Sequence, residues 1–415
     1  MDQLPIVGGM LSSLSGTLSE NTPSIHAGGK RMIGYFTNWE TSHFPPSMIP
    51  VDELTHLNYA FAKVNKETGE VTLSDPHTDT EVHFKPHSSD EEVNPEQAGH
   101  NLFGCLGALY LMKKHNRNLK VMLSIGGATF STAFENIEFI HWRNSFVQTA
   151  VKLVEDLGLD GLDIDFEFPK NEQQAGYYAQ LIHALRLDLD ELARRVHQPK
   201  GQYLLSIAAP CGEDKMKIMQ NKIKDMDHNL DFWNLMAYDF AGSWSKVTDH
   251  QANLFGTGSQ DLSVDKAVKF YQNHGVNSSK LVIGMPLYGR TFEHTHGMGK
   301  PFNGSKTIPY MSLPPHDAKV HNDTHLGASY CYDAQKKELI SYDTPQIAKE
   351  KTEYIEKHNL GGAMFWELAG DKAHNNADSL VKIVKGKIGN LEKRQDELKY
   401  PNSKYDNLKG GMSGQ

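Results

Sequence analysis

Cysteine is scarce in this chain: Cys105, Cys211 and Cys331 are the only three among 415 residues, and they lie far apart. An odd, scattered set supplies neither a disulfide framework nor the CxxC spacing of a metal site. Basic residues are not in excess. Lys and Arg total 42 against 51 Asp and Glu, a formal net charge of -9, and that balance argues against nucleic acid as a partner. No run of about 18 apolar residues occurs, so no membrane-spanning helix is expected. The opening residues MDQLPIVGGMLSSLSG place an acid at position 2 and no basic stretch before a short apolar one. They match a secretory signal poorly. The remaining composition, 39% hydrophobic and 22% charged, is that of a globular protein with room for one large domain plus an insertion, or for two domains.

What stands out is DGLDIDFEFP, residues 160–169. Read as a strand, it puts Asp163, Asp165 and Glu167 on one face and Leu162, Ile164 and Phe166 on the other. Three stacked carboxylates repel one another and resist burial, so folding alone gives no reason for them. A solvated charged face conflicts with the apolar opposite face. A metal site is conceivable for oxygen ligands, but the glycine-bearing loop of an EF-hand is missing. Acid–base catalysis by a crowded carboxyl with a raised pKa accounts for the cluster best, and no metal or cofactor is expected. Asp160, three residues before Asp163, falls off that face and reads as a structural residue at the strand entrance.

Eight β-rich segments recur along the chain: MIGYF, THLNYAFAKV, LKVMLSI, GLDGLDIDF, YLLSIAA, FWNLMAY, LVIGMP and GGAMFW. Stretches such as WRNSFVQTAVKLVEDLG between them carry apolar residues at helical spacing. The alternation predicts an α/β chain folded as a (β/α)8 TIM barrel over residues 31–290 and 343–388. Two interruptions break the rhythm. Residues 66–100 form a polar loop, and residues 291–342 read as a small α+β insertion domain between the seventh and eighth strands. Residues 1–30 look like a flexible leader. Residues 389–415 look like a terminal helix followed by a frayed polar tail.

Barrel enzymes gather their reactive groups at the C-terminal ends of the strands. On that rule Tyr35, Phe61, Ser124 with Gly126 and Gly127, the three acids, Met236 with Tyr238 and Asp239, Arg290, and Trp366 converge on one face. Acids beside tyrosines and a tryptophan suit a pyranose ring, which offers an apolar face and polar substituents. These residues resemble the chitinases of glycoside hydrolase family 18, in the fungal subgroup related to bacterial chitinases that carry an insertion domain. DGLDIDFE matches the family's DxxDxDxE, SIGG its SxGG, and MAYD, MPLYGR and GGAMFWELAGD match further family segments. The similarity runs from about residue 31 to about residue 388.

The resemblance implies hydrolysis of β-1,4 bonds in chitin and chito-oligosaccharides by a retaining mechanism in which the substrate's N-acetyl oxygen is the nucleophile. It implies Glu167 as general acid, Asp165 turning between Asp163 and Glu167, and Tyr238 donating to the acetamido group. Trp366 becomes the floor of subsite -1. Asp239 and Arg290 hold sugar substituents, and Ser124 and Tyr35 support Asp163. Relatives often carry tryptophan after SxGG, where this chain has Ala128; Phe130 or Trp142 could replace that ring at subsite +1. Two rivals are a chitin-binding lectin, which the presence of Glu167 disfavours, and an endo-β-N-acetylglucosaminidase acting on N-glycans. The expected protein is a monomer with no nucleic-acid or membrane partner. It is expected in the cytoplasm or released without a signal peptide, with secretion to the cell wall as the alternative.

Overall fold

The computed structural model describes residues 28–85, 99–256 and 262–412. Its strands, in chain order, are β1 Arg31–Thr37, β2 His56–Val64, β3 Val71–Leu73, β4 Lys120–Gly126, β5 Gly161–Asp165, β6 Leu204–Ala209 and β7 Phe232–Leu235, followed by β8 Leu281–Pro286, β9 Tyr288–Phe292, β10 Thr307–Pro309, β11 Lys319–Asp323, β12 Ala328–Asp333, β13 Glu338–Ser341 and β14 Gly362–Trp366. Eight of them pair in parallel in the order β1-β14-β8-β7-β6-β5-β4-β2, and β1 pairs with β2 to close the ring. These are the eight segments expected from the sequence, and the architecture is the (β/α)8 barrel. β3 adds an antiparallel edge to β2.

Side-chain alternation sorts each strand into two layers. Leu123, Ile125, Leu162, Ile164, Leu205 and Ile207 face outward into the main apolar core, covered by helices that include Ile140–Leu157 and Glu172–Arg195. The barrel interior holds a smaller apolar cluster, among them Ile33, Tyr35, Met122, Leu204, Phe232 and Met364. Ile140–Leu157 stops at Gly158, whose φ of 69° is left-handed. That C-cap conformation turns the chain into β5 and is the one a glycine adopts without a Cβ clash.

The long gap between β8 and β14 folds as a five-stranded antiparallel sheet, ordered β10-β9-β13-β12-β11, whose helical part is the 3-10 turn Tyr310–Ser312. The sheet begins at Tyr288, so Arg290 stands on its first strand. The expected leader lies outside the described residues up to residue 27.

The described part of the C-terminal segment, up to residue 412, is not frayed. Residues 390–412 run across the N-terminal rim of the barrel and up one flank. Lys30 bridges to Leu391, and Glu392 is held by Arg31 at 3.1 Å and Lys120 at 3.4 Å. The Glu397 N–H donates to Asp160 at 2.7 Å, and the Tyr400 hydroxyl donates to the Leu159 carbonyl at 2.7 Å. Leu408 is fully buried. Polar composition misleads here because the acids are consumed by buried partners, while Tyr400, Tyr405, Leu408 and Met412 supply the apolar anchors.

Asp160 is the hub of this rim. It also accepts the Val121 N–H at 2.7 Å and pairs at 2.8 Å with Lys113, which has no solvent exposure. Removing one member of such a pair strands the other charge in the interior, which costs about 3–5 kcal/mol. Asp160→Ala is therefore expected to lower the unfolding free energy by about that amount, read from the urea midpoint.

Candidate active site

The acids of the central motif sit where β5 ends. The register sets β4, β5 and β6 side by side, with Ser124, Asp163 and Ser206 level across the three strands. Asp163 has no solvent exposure. Its Oδ2 accepts from the Tyr35 hydroxyl at 2.6 Å and from Ser124 at 2.8 Å, while Oδ1 accepts from Ser206 at 2.7 Å and from the Asn234 amide at 3.1 Å. Burial pushes this carboxyl up and the four donors pull it back. A carboxylate so saturated has no lone pair left for a metal ion, and it is no solvated surface group.

Asp165 differs. It is buried, and its Oδ1 has no hydrogen-bond partner among the described residues. Burial, then the neighbouring Glu167 and Asp163, raise it well above the usual carboxylate range. Donor-filled Asp163 suits the anionic form, whereas Asp165 suits the neutral one. Glu167 reaches the cleft, where burial and the Asp239 carboxylate push it up to about 7 against the opposing pull of the Ala128 N–H. A carboxyl held there carries a proton at mildly acidic pH and can give it up.

The cleft above these groups has a volume of about 990 Å³. Tyr238, Met236 and Asp239 enter it from the segment after β7, and Arg290 from β9. Asp239 accepts from the Tyr288 hydroxyl at 2.7 Å and from Arg290 Nη2 at 2.6 Å. Burial raises the Tyr238 hydroxyl well above its usual range, with Asp165, Asp239 and Glu167 adding to the effect, so it stays a donor. Trp366 lines the floor, edge-on to Tyr35 at 5.3 Å and stacked on Phe61 at 5.6 Å. Trp39 then stacks on Phe61 at 6.0 Å, extending the aromatic row.

Several expected site residues lie behind the cleft instead of in it. Ser124 is a buried donor to Asp163. Gly126 and Gly127 are backbone spacers, with φ of 115° and 76°. A Cβ on Gly126 would stand 2.1 Å from the Asp165 carbonyl oxygen, and one on Gly127 2.5 Å from the Phe61 ring. Ser124 thus supports Asp163 as the resemblance implies, whereas Gly126 and Gly127, grouped with the substrate-binding residues from the sequence, do not line the cleft. Trp142 is fully buried and donates to the Lys66 carbonyl at 3.0 Å, so it cannot replace the missing ring. Ala128 and Phe130 do line the cleft.

Sequence reasoning missed Ser206 and Asn234, which donate to Asp163, and Trp39 and Lys215, which line the cleft. Ser206 was within reach: LSI occurs at 123–125 and again at 205–207, flanking Asp163 on both sides in register. Trp39 follows the end of β1 by two residues, and the barrel rule places that position on the reactive face.

The profile described as Glycosyl hydrolases family 18 matches residues 31–371. Chitinase 1 of Aphanocladium album is 41% identical over 396 residues, covering 91% of this chain and 90% of that protein. Endochitinase 1 of Metarhizium robertsii is 38% identical, covering 97% of this chain and 98% of its own. Among solved structures, the catalytic domain of a psychrophilic chitinase B from Arthrobacter TAD20 superposes with a TM-score of 0.78 at 24% identity, over 89% of this chain and 98% of that one. With the profile spanning barrel, acid cluster and insertion, and fungal relatives similar over nearly their whole length, this chain belongs to glycosyl hydrolase family 18.

Proposed function

We propose that the protein is a chitinase that cleaves β-1,4 linkages between N-acetylglucosamine units, with retention of configuration and with the substrate's acetamido oxygen as nucleophile. The observation that carries this reading is the unequal treatment of the carboxyls. Asp163 is saturated by four donors, Asp165 is buried, and Asp239 is tied to Arg290 and Tyr288. Only Glu167 meets the cleft as an acid with its pKa near 7. A retaining glycosidase of the usual kind needs a second free carboxylate about 5–5.5 Å from the acid. Asp163 and Asp239 are engaged by donors and Asp165 is pushed toward its neutral form, a poor nucleophile, which supports a nucleophile brought by the sugar. The names of the fungal relatives agree with chitin as substrate.

In this mechanism Glu167 gives its proton to the glycosidic oxygen as the bond to the anomeric carbon breaks. The acetamido oxygen closes on that carbon to form an oxazolinium ion. Asp165, still protonated, offers its unpartnered Oδ1 to the acetamido N–H, the carboxylate left on Glu167 balances the positive charge, Tyr238 directs its hydroxyl to the acetamido group, and Trp366 carries the ring. Water then opens the oxazolinium, and Glu167 recovers its proton.

Glu167→Gln is expected to keep oligomer affinity and lose about 10²–10⁴-fold in turnover of an N-acetylglucosamine tetramer; more than a tenth of wild-type activity would rule out this acid. Because Glu167 must be protonated, kcat/KM is expected to fall as pH rises through about 7. Asp239→Asn removes the like charge that raises Glu167, so its alkaline limb should move to lower pH. Partly acetylated chitosan is expected to yield new reducing ends that are N-acetylglucosamine, and mass-spectrometric sequencing showing frequent glucosamine at those ends would contradict the nucleophile.

A further inference from the structure

The loop after β4 does more than clear space for the acids. Ser131 is buried, four residues beyond Gly127, and its hydroxyl sits between two chain segments. Oγ accepts the Glu167 N–H at 2.8 Å and donates to the Gly127 carbonyl at 2.9 Å, with the Asp165 carbonyl a further 3.4 Å contact. One hydroxyl thus spans the backbone from Asp165 to Glu167 and ties it to the loop. Within the same turn, Ala128 lines the cleft together with Glu167. The loop therefore holds the main chain of Glu167, and Ser131 is the side chain that makes the hold.

We propose that Ser131 is a positioning residue that fixes the height and direction of the Glu167 carboxyl for proton transfer to the glycosidic oxygen. The proposal rests on Glu167 being the general acid. Without the hydroxyl, the Glu167 N–H loses its acceptor and the loop can lift from β5. A displacement near 1 Å at a reacting group costs on the order of a hundredfold in rate, whereas the sugar-binding surfaces of Trp366, Phe61 and Tyr238 are untouched. The titratable groups facing Glu167 are Asp165, from β5, and Tyr238 and Asp239, from the segment after β7. Ser131 bonds to the main chain of Asp165 but to none of their titrating side-chain groups.

Ser131→Ala is expected to lower kcat on the N-acetylglucosamine tetramer by about ten- to a hundredfold, with KM nearly unchanged. The alkaline limb should move upward, because a relaxed loop carries the Ala128 N–H, which pulls the Glu167 pKa down, away from the acid. An unchanged kcat and limb would overturn the proposal. So would a loss of kcat matched by an equal loss of affinity, which marks a structural role. If the alanine variant fails to fold, Ser131→Cys keeps the side-chain shape with a poor acceptor and carries the same expectation; full activity in it would equally overturn the proposal. Glu167→Gln measured in parallel separates the two premises. An active glutamine variant removes the acid itself, while a silent Ser131→Ala beside an inactive Glu167→Gln removes only the positioning role.

Discussion

A carboxylate without access to water lies at the centre of this barrel, and four donors from four different strands make that tolerable. Tyr35 comes from β1, Ser124 from β4, Ser206 from β6 and Asn234 from β7. Losing any one leaves a buried charge under-solvated, so the strands that supply them must hold their register. The charge in turn sets the state of its neighbours. Asp165, two residues along the same strand face, has no comparable donors and is driven toward its neutral form. Glu167, one further step out, meets the cleft with a proton still held near neutrality. The differences among these three carboxyls along five residues of chain follow in part from how many donors each position is given.

The two ends of the barrel divide the work. Charges at the N-terminal rim are paired for stability: Lys113 with Asp160, and Arg31 and Lys120 with Glu392. Charges at the opposite rim are left crowded. The same strand runs between the two conditions, since Asp160 anchors the entrance of β5 while Asp165 ends it. Paired groups at the rim brace the strand, so the repulsion stored at its other end can persist without unravelling it.

Much of this was legible in the residues. Eight strands, their parity, and the face shared by Asp163, Asp165 and Glu167 follow from period-two patterning, and strand polarity places Tyr238, Trp366 and Arg290 beside them. What escaped depends on register or on long-range pairing. Ser206 is an ordinary strand serine until β6 is laid level with β5. Ser124, Gly126 and Gly127 carry a motif, yet whether they face substrate or support the acids is decided by three-dimensional contact with Asp165 and Phe61. The C-terminal segment was misjudged because Glu392 and Asp396 look solvated in a polar string, and their partners lie far away in the sequence.

The pair Gly126–Gly127 bears on how such an enzyme can change over time. Both positions are closed to any side chain, by the Asp165 carbonyl on one and the Phe61 ring on the other. Ala128, the very next residue, opens into the cleft. Variation in this loop is therefore barred at two adjacent sites and free at the third. A side chain of another size at that single position would reshape the cleft wall without displacing the two glycines that lie against the acid strand and the Phe61 ring. The contour of the cleft and the placement of the acids are thus governed by different, though adjacent, residues.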